Sequence, residues 1–313
     1  MFNCLIKWMC LLSLMISLLS CQFVSKDNKA EKINDGNSFY AEGQLDFEDS
    51  NTSEIKLNLY WATTDISVGK NRIAFGLTEN SIGSLKDYET VIYSFYLSNN
   101  KNTLIHEVVN ADYYEWPQGR GIYVANMNFD KAGSWGITVS TSSQKLNGEI
   151  TTALNVNEKS KTPPLYSKAL MSVNKTNSEE YKLNNITSDP DPDPDLYSLT
   201  ISDAIKMDKP LVVAFASPGY CVTKTCGPQV NVLKSLKMKY KDKINFIHVE
   251  VYDNLDKIQG DLKQADISQV VLDWGLPSEP WSFLINSEGI IIGKYEGFIS
   301  EYELEKNIQL VIK

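Results

Sequence analysis

The stretch SPGYCVTKTCGP (Ser217–Pro228) carries the only two cysteines that follow residue 21, and it comes directly after LVVAFA (Leu211–Ala216). A continuous apolar run bounded by Pro210 and a Ser-Pro-Gly turn signal reads as a strand buried on both faces. Beyond the cysteines, Val230, Leu233, Leu236 and Tyr240 recur at near-helical spacing. A buried strand therefore runs into a helix, with the cysteine pair at the junction. Five positions along a regular helix turn through about 500°, which leaves the two side chains about 140° apart and out of disulfide reach. Cys221 and Cys226 cannot share one regular helix and bond. Gly227 and Pro228 look like a helix start, with proline at the first helical position, where its missing amide hydrogen matters least. That places Cys226 just ahead of the helix and Cys221 in the loop before it, with Gly219 supplying backbone freedom for the bend.

A length of 313 residues predicts about two domains of ordinary size. The apolar fraction of 42% and charged fraction of 22% are those of globular domains. A net charge of −9 disfavours a phosphate backbone as partner, so no nucleic-acid ligand is expected. Residues 1–20 read as an export signal: Lys7 supplies the positive charge, and the apolar run Trp8–Leu19 is shorter than the about 20 residues a membrane span needs. LLSC (Leu18–Cys21) resembles a bacterial lipobox. The resemblance implies that Cys21 is the first mature residue, that it carries a lipid anchor to the membrane, and that the protein faces the outside of the cytoplasm in the cell envelope. Cys4 and Cys10 leave with the signal, and Cys221 and Cys226 remain as the free thiols. Two thiols in an exported protein point to oxidation or redox work.

Residues 21–37 are polar and read as a flexible tether. From 38 to 157, runs such as IKLNLYW, RIAFGL, TVIYSFYL, GIYVANMNF and SWGITVS alternate with Gly, Asn, Asp and Ser clusters, which predicts an antiparallel sandwich. FDKAGSWGITVS (Phe129–Ser140) resembles the late strands of bacterial immunoglobulin-like domains. Residues 158–195 hold KTPP and DPDPDPD (Asp189–Asp195), whose alternation favours extended geometry and reads as a linker or a strap over the next domain, with a solvated spacer preferred to a calcium loop for the Asp run. From 196 onward the order is helix, strand, helix, strand, helix, a hairpin around SEG, and a closing helix from Ser300. Lys234, Lys237 and Lys241 repeat at helical spacing and read as a solvated face. Trp116 sits in a turn-like stretch, where burial is the default reading.

Residues 196–313 resemble the thioredoxin superfamily, in particular its exported TlpA-like members. The likeness lies in strand order, in cysteines just after the first core strand, and in EPWSFLIN (Glu279–Asn286), which is similar to the family's P-x-x-F-L-I-[DN]. The fold expected is thus an N-terminal all-β immunoglobulin-like sandwich followed by a C-terminal α/β thioredoxin-like domain. The resemblance implies a cis bond between Glu279 and Pro280 set against the cysteines, with Pro280 shaping a peptide groove. It also implies that Tyr220 covers the disulfide, though simple packing serves as well. The activity implied is thiol–disulfide exchange on exported proteins through Cys221 and Cys226, with Gly227 and Pro228 in support and no bound cofactor. The sequence names no electron donor.

The C-x4-C spacing departs from the family's C-x-x-C. TCGPQ (Thr225–Gln229) also resembles thioredoxin's W-C-G-P-C with Gln229 in place of the second cysteine. That alignment would make Cys226 the nucleophile and Cys221 its resolving partner, so both orders stand. Glu250 and Asp253, near the end of the strand INFIHVEVY, are candidate proton relays. A peroxidase of the C-x4-C peroxiredoxin type is disfavoured, because Pro218 stands where a threonine is needed and Arg72 and Arg120 both lie in the first domain. Copper handling of the Sco type is the alternative function: soft thiolates select Cu(I), and His248 is the one histidine of this region. A non-catalytic docking module or a purely structural disulfide completes the set.

Overall fold

The β-branched and aromatic runs of the first half form nine strands in two antiparallel sheets. They are β1 (Leu57–Trp61), β2 (Gly69–Glu79), β3 (Gly83–Ser84), β4 (Glu89–Tyr96), β5 (Ile105–Asn110), β6 (Asp112–Trp116), β7 (Arg120–Phe129), β8 (Gly133–Ser142) and β9 (Asn147–Val156). One sheet runs β1-β2-β7-β6, with β3 on β2; the other runs β5-β4-β8-β9. The computed structural model describes residues 56–97, 104–143, 147–258 and 260–312. The expected signal peptide, the Cys21 anchor and the tether lie outside these residues. Among the described residues no helix is long and apolar enough to cross a membrane. Alternation places Leu57, Leu59 and Trp61 inward along β1. They meet Phe75, Tyr123 and Phe129 of their own sheet, and Trp135, Ile137 and Val139 of the facing one, in a single core. Each such fully buried side chain contributes about 1.5–3 kcal/mol.

The second half is built on a four-stranded sheet in the order β11-β10-β12-β13. Its strands are β10 (Leu211–Ala216), β11 (Asn245–Glu250), β12 (Trp281–Ile285) and β13 (Ile291–Glu296). β10 pairs with β11 in parallel and with β12 antiparallel, and β12 pairs antiparallel with β13. The helices are α1 (Leu183–Ile186), α2 (Ile201–Lys206), α3 (Cys226–Tyr240), α4 (Leu255–Ile258), α5 (Gln269–Asp273) and α6 (Glu301–Ile308). β10 is apolar throughout because both its faces are covered. Val212, Ala214 and Ala216 join the core with α3 and α6, while Leu211, Val213 and Phe215 join the one with α2 and α5. Thr200 caps α2 by accepting from the Asp203 amide, and Ser300 caps α6 by accepting from the Glu303 amide. The Glu279–Pro280 bond is cis, as expected.

Of the two readings of 158–195, a linker or a strap over the next domain, the contacts fit the strap, and its Asp run is not a solvated spacer. The Tyr166 amide donates to the Ile291 carbonyl, the Ile291 amide to Ser167, and the Ala169 amide to Gly289, so the chain pairs with the start of β13 and the turn before it. Farther on, Asp189 pairs with Lys234 at 2.8 Å, and Asp193 and Asp195 both pair with Lys237 at 2.6 Å. The alternating prolines keep this run extended, and its carboxylates meet lysines one turn apart on α3. The reading of Lys234 and Lys237 as a solvated face is corrected by the same contacts.

The sandwich is joined to the second sheet by more than this strap. Glu296 on β13 accepts from the Thr64 amide and hydroxyl and from the Asp65 amide, at 2.6–3.1 Å. Asp65 in turn accepts from the amides of Lys161 and Thr162 and from Lys294. Burial acts to raise the Asp65 pKa, but hydrogen bonds from Ser160, Lys161 and Thr162 and the Lys294 charge bring it down to about 2. Arg72 on β2 forms a two-pronged pair with Glu303 on α6, at 2.6 and 2.8 Å, with both side chains only 7% exposed. Trp116 packs edge-on against Phe298 at 5.8 Å between ring centres.

Removing one partner of the buried pair, in Arg72→Met or Glu303→Gln, should lower stability to denaturant by about 3–5 kcal/mol, because an uncompensated charge stays behind. The double variant Arg72→Met/Glu303→Leu should recover most of that loss. For Asp65, whose folded pKa of about 2 lies below its ordinary 3.8, the stabilisation is complete above pH 3.8 and is lost as pH falls through about 2. Acid titration of unfolding should show this component in the wild-type chain and not in Asp65→Asn.

Candidate active site

β10 ends at Ala216 in the middle of the sheet, and its continuation must climb out of the core before α3 begins. Cys221 and Cys226 are disulfide-bonded, with Cα atoms 5.9 Å apart, inside the ordinary range for such a bridge. The loop closes because Lys224 takes a left-handed conformation (φ 57°) and its amide donates to the Cys221 carbonyl at 3.2 Å. The turn is thus made at Lys224 and not at Gly219. Gly219 matters for proximity instead: a Cβ there would lie 2.9 Å from the Ser188 Cβ. Its amide donates to the Ser188 hydroxyl at 2.9 Å, tying the cysteine loop to the strap.

α3 starts at Cys226, so Cys226 is its first residue and Pro228 its third, where Pro228 had been expected first. The shift is tolerated because the amides of the first turn have no intrahelical acceptor, and a proline there forfeits nothing. Gly227 has open space where a Cβ would sit, so the structure gives it no steric role. Cys226 is fully buried in the α3 core, whereas Cys221 is half-buried with the Thr223 hydroxyl 3.2 Å from its sulfur. Gln229, in the position of thioredoxin's second cysteine, is buried, and its side-chain carbonyl accepts from the Ile299 amide at 2.9 Å. Tyr220 stacks edge-on with Tyr252 at 6.1 Å and donates to the Leu255 carbonyl at 3.4 Å, a packing role. Pro280 is buried, and its carbonyl accepts from the Gly297 amide.

A carboxylate that sequence reasoning passed over stands beside the bond. The two sulfurs and a carboxylate oxygen of Glu279 all lie within 4.8 Å of one another. Oε2 of Glu279 is buried without a hydrogen-bond partner. Burial first, and then the charge of Glu250, push the Glu279 pKa up to about 8, against a backbone hydrogen bond from Ser217 that lowers it. Its place directly before Pro280 was legible in the motif, but nothing in the sequence marks it as buried. The relays that were anticipated are engaged elsewhere. Glu250 accepts from the Ser188 amide and hydroxyl at 2.7 Å and from the Val251 amide, and Asp253 pairs with Lys175 at 3.0 Å.

His248 is closed as well. It is 1% exposed, with Nε2 3.0 Å from the Ala216 carbonyl and Nδ1 2.7 Å from the Tyr197 hydroxyl. Facing a carbonyl, Nε2 carries the hydrogen, and burial lowers the pKa of the ring. Both nitrogens are therefore spent, and the cysteine-plus-histidine arrangement of a copper chaperone is not assembled among the described residues.

No family model matches the chain, and no curated protein is similar to it in sequence. Among solved structures, it is similar to a candidate thiol:disulfide interchange protein DsbE from Chlorobium tepidum, at 20% identity over 37% of this chain and 86% of that one, with a TM-score of 0.30. A thioredoxin-family thiol:disulfide interchange protein from Chlorobium tepidum TLS matches at 13% identity over 48% and 98%, with a TM-score of 0.32. MtrC from Shewanella baltica OS185 matches at 12% identity over 36% and 24%, with a TM-score of 0.28. The thioredoxin-like character of the second half rests on what this chain itself displays: its sheet order, the cysteine pair at the start of α3, and the cis Pro280.

The Ser188 hydroxyl links Gly219 and Glu250, so Ser188→Ala strips one hydrogen bond from each. Stability should drop by about 1–3 kcal/mol because the Glu250 carboxylate is buried. Amide hydrogen exchange at Gly219 and through the cysteine loop should accelerate while exchange in β10 stays unchanged.

Proposed function

We propose that the chain is an exported, lipid-anchored thiol–disulfide oxidoreductase acting on protein disulfides, with a TlpA-like redox domain carried beside an immunoglobulin-like sandwich. The observation that carries this reading is the asymmetry of the pair: the Cys221 sulfur belongs to a half-buried loop residue, and the Cys226 sulfur is buried at a helix start. A client thiolate reaches the Cys221 sulfur, and the Cys226 sulfur leaves toward the first turn of α3, where free amides and the helix dipole stabilise the negative charge as it develops on the departing sulfur. A second client thiol then attacks the mixed disulfide and leaves as part of a client disulfide, with both cysteines reduced. In the opposite sense, Cys221 attacks a client disulfide and Cys226 resolves it. Either way, Cys221 is the residue that meets the client, and the cycle needs no bound cofactor. Tyr220, Gly227 and Pro228 support the loop and helix start, Pro280 borders the groove, and Cys21 holds the chain to the envelope membrane.

The test is capture. Cys226→Ser should accumulate mixed disulfides with exported clients through Cys221, and Cys221→Ser should accumulate none. Both variants should lose steady-state exchange with a small disulfide substrate. A wild-type protein inert toward every protein or small-molecule disulfide would overturn the reading.

A further inference from the structure

Glu279 reaches the sulfurs from a different part of the fold than the cysteines do. The residue before Pro280 is held by the cis turn into β12, and its side chain comes within 4.8 Å of both sulfurs. One carboxylate oxygen is buried without a hydrogen-bond partner, although buried polar atoms are as a rule paired. The other groups near it offer no counter-charge. Glu250 approaches from β11 and Tyr252 from the segment after it, the cysteines come from the loop and α3, and no cation is among the charges acting on it. Glu279 also lines a cavity of about 170 Å³ together with Val222 and Thr223 of the cysteine loop. The Glu279 carboxyl thus stands between that cavity, which begins one residue past Cys221, and the two sulfurs.

We propose that Glu279 is the proton donor and acceptor of the exchange at Cys221–Cys226, a catalytic residue supplied from outside the cysteine loop; this rests on the reading of the pair as an exchange centre. In the oxidised protein Glu279 is a neutral acid. A client thiolate forms a bond to the Cys221 sulfur, the Cys221–Cys226 bond breaks, and the electron pair goes to the Cys226 sulfur, which takes the Glu279 proton. Cys226 is then a thiol and Glu279 a carboxylate. The second client thiol gives its proton to Glu279 and attacks the client sulfur of the mixed disulfide, and Cys221 departs as a thiolate that takes a proton from water. The client loses two electrons and the cysteine pair gains two.

The proposal predicts a specific pH signature that does not require a protein client. Reduction of the oxidised full chain by dithiothreitol is followed by acid-quenched alkylation, and each rate is divided by the dithiothreitol thiolate concentration. In the wild type this rate constant should be high while Glu279 holds its proton and should fall as pH rises through about 8. Glu279→Gln should lie about 100-fold lower at neutral pH and show no such fall. Glu250→Gln removes the neighbouring negative charge and should move the fall to lower pH. Circular dichroism checks the fold of each variant. A Glu279→Gln protein with the wild-type rate and profile overturns the assignment, as does one that is slowed but keeps the fall near pH 8. If Glu279→Gln does not fold, an unmoved profile in Glu250→Gln overturns it and a shifted one supports it. Dithiothreitol acts on the bond whether or not the protein exchanges with clients. Failure of client capture with this profile intact would therefore refute the oxidoreductase reading and leave the proton assignment standing.

Discussion

The site depends on one constraint: a chain leaving the centre of a buried sheet must turn into a helix while holding two sulfurs in bonding distance across that turn. A regular helix cannot do this at a spacing of five, so one cysteine is fixed in the helix and the other in the loop. That division sets the exposure of each sulfur. Cys226 is carried into the core by the same face of α3 that buries Val230 and Leu233, and Cys221 stays with the irregular residues before it. The electrostatic asymmetry follows from the burial asymmetry, since only the helical cysteine sits among unpaired first-turn amides.

The loop is not free to find this geometry alone. Ser188 meets Gly219 on one side and Glu250 on the other, and Ser188 is itself held in place by the Asp-Pro run laid across Lys234 and Lys237. On the opposite flank, Glu296 and Glu303 fasten the sandwich to β13 and α6 through Thr64, Asp65 and Arg72. The cysteine loop thus hangs from a frame in which sandwich, strap and sheet share buried charges. Isolated surface ion pairs contribute little, but pairs this well buried penalise any rearrangement that separates them.

The thioredoxin-like half was legible because its signals are local and strong: the unbroken apolar β10, the helix start at Ser300, and the proline before Trp281. In the sandwich, β1, β2, β4, β7 and β8 stand out as β-rich runs. β5, β6 and β9 do not, since β9 is largely polar with a half-exposed pattern and only Ala111 separates β5 from β6. The cysteines were found, and the bend ahead of α3 was inferred, but its seat at Lys224 was not, because a left-handed lysine has no sequence mark. The strap was one of two readings of its segment, and the sequence does not choose between them. Alternating Asp and Pro looks solvated until its partners on α3 are known, and those lysines look solvated until the strap is known. Glu279 escaped notice because its chemistry comes from burial and from Glu250, neither of which is near it in sequence.

The outermost strand of a sheet ordinarily presents an open row of amides and carbonyls to any extended chain that passes. At the start of β13 and in the hairpin before it that row is occupied in cis by Tyr166, Ser167 and Ala169, and the Glu296 side chain at the strand's other end is taken by Thr64. Strand addition at that end of β13 is therefore pre-empted by the protein's own backbone, and polymerisation by that route would first have to displace residues 166–169.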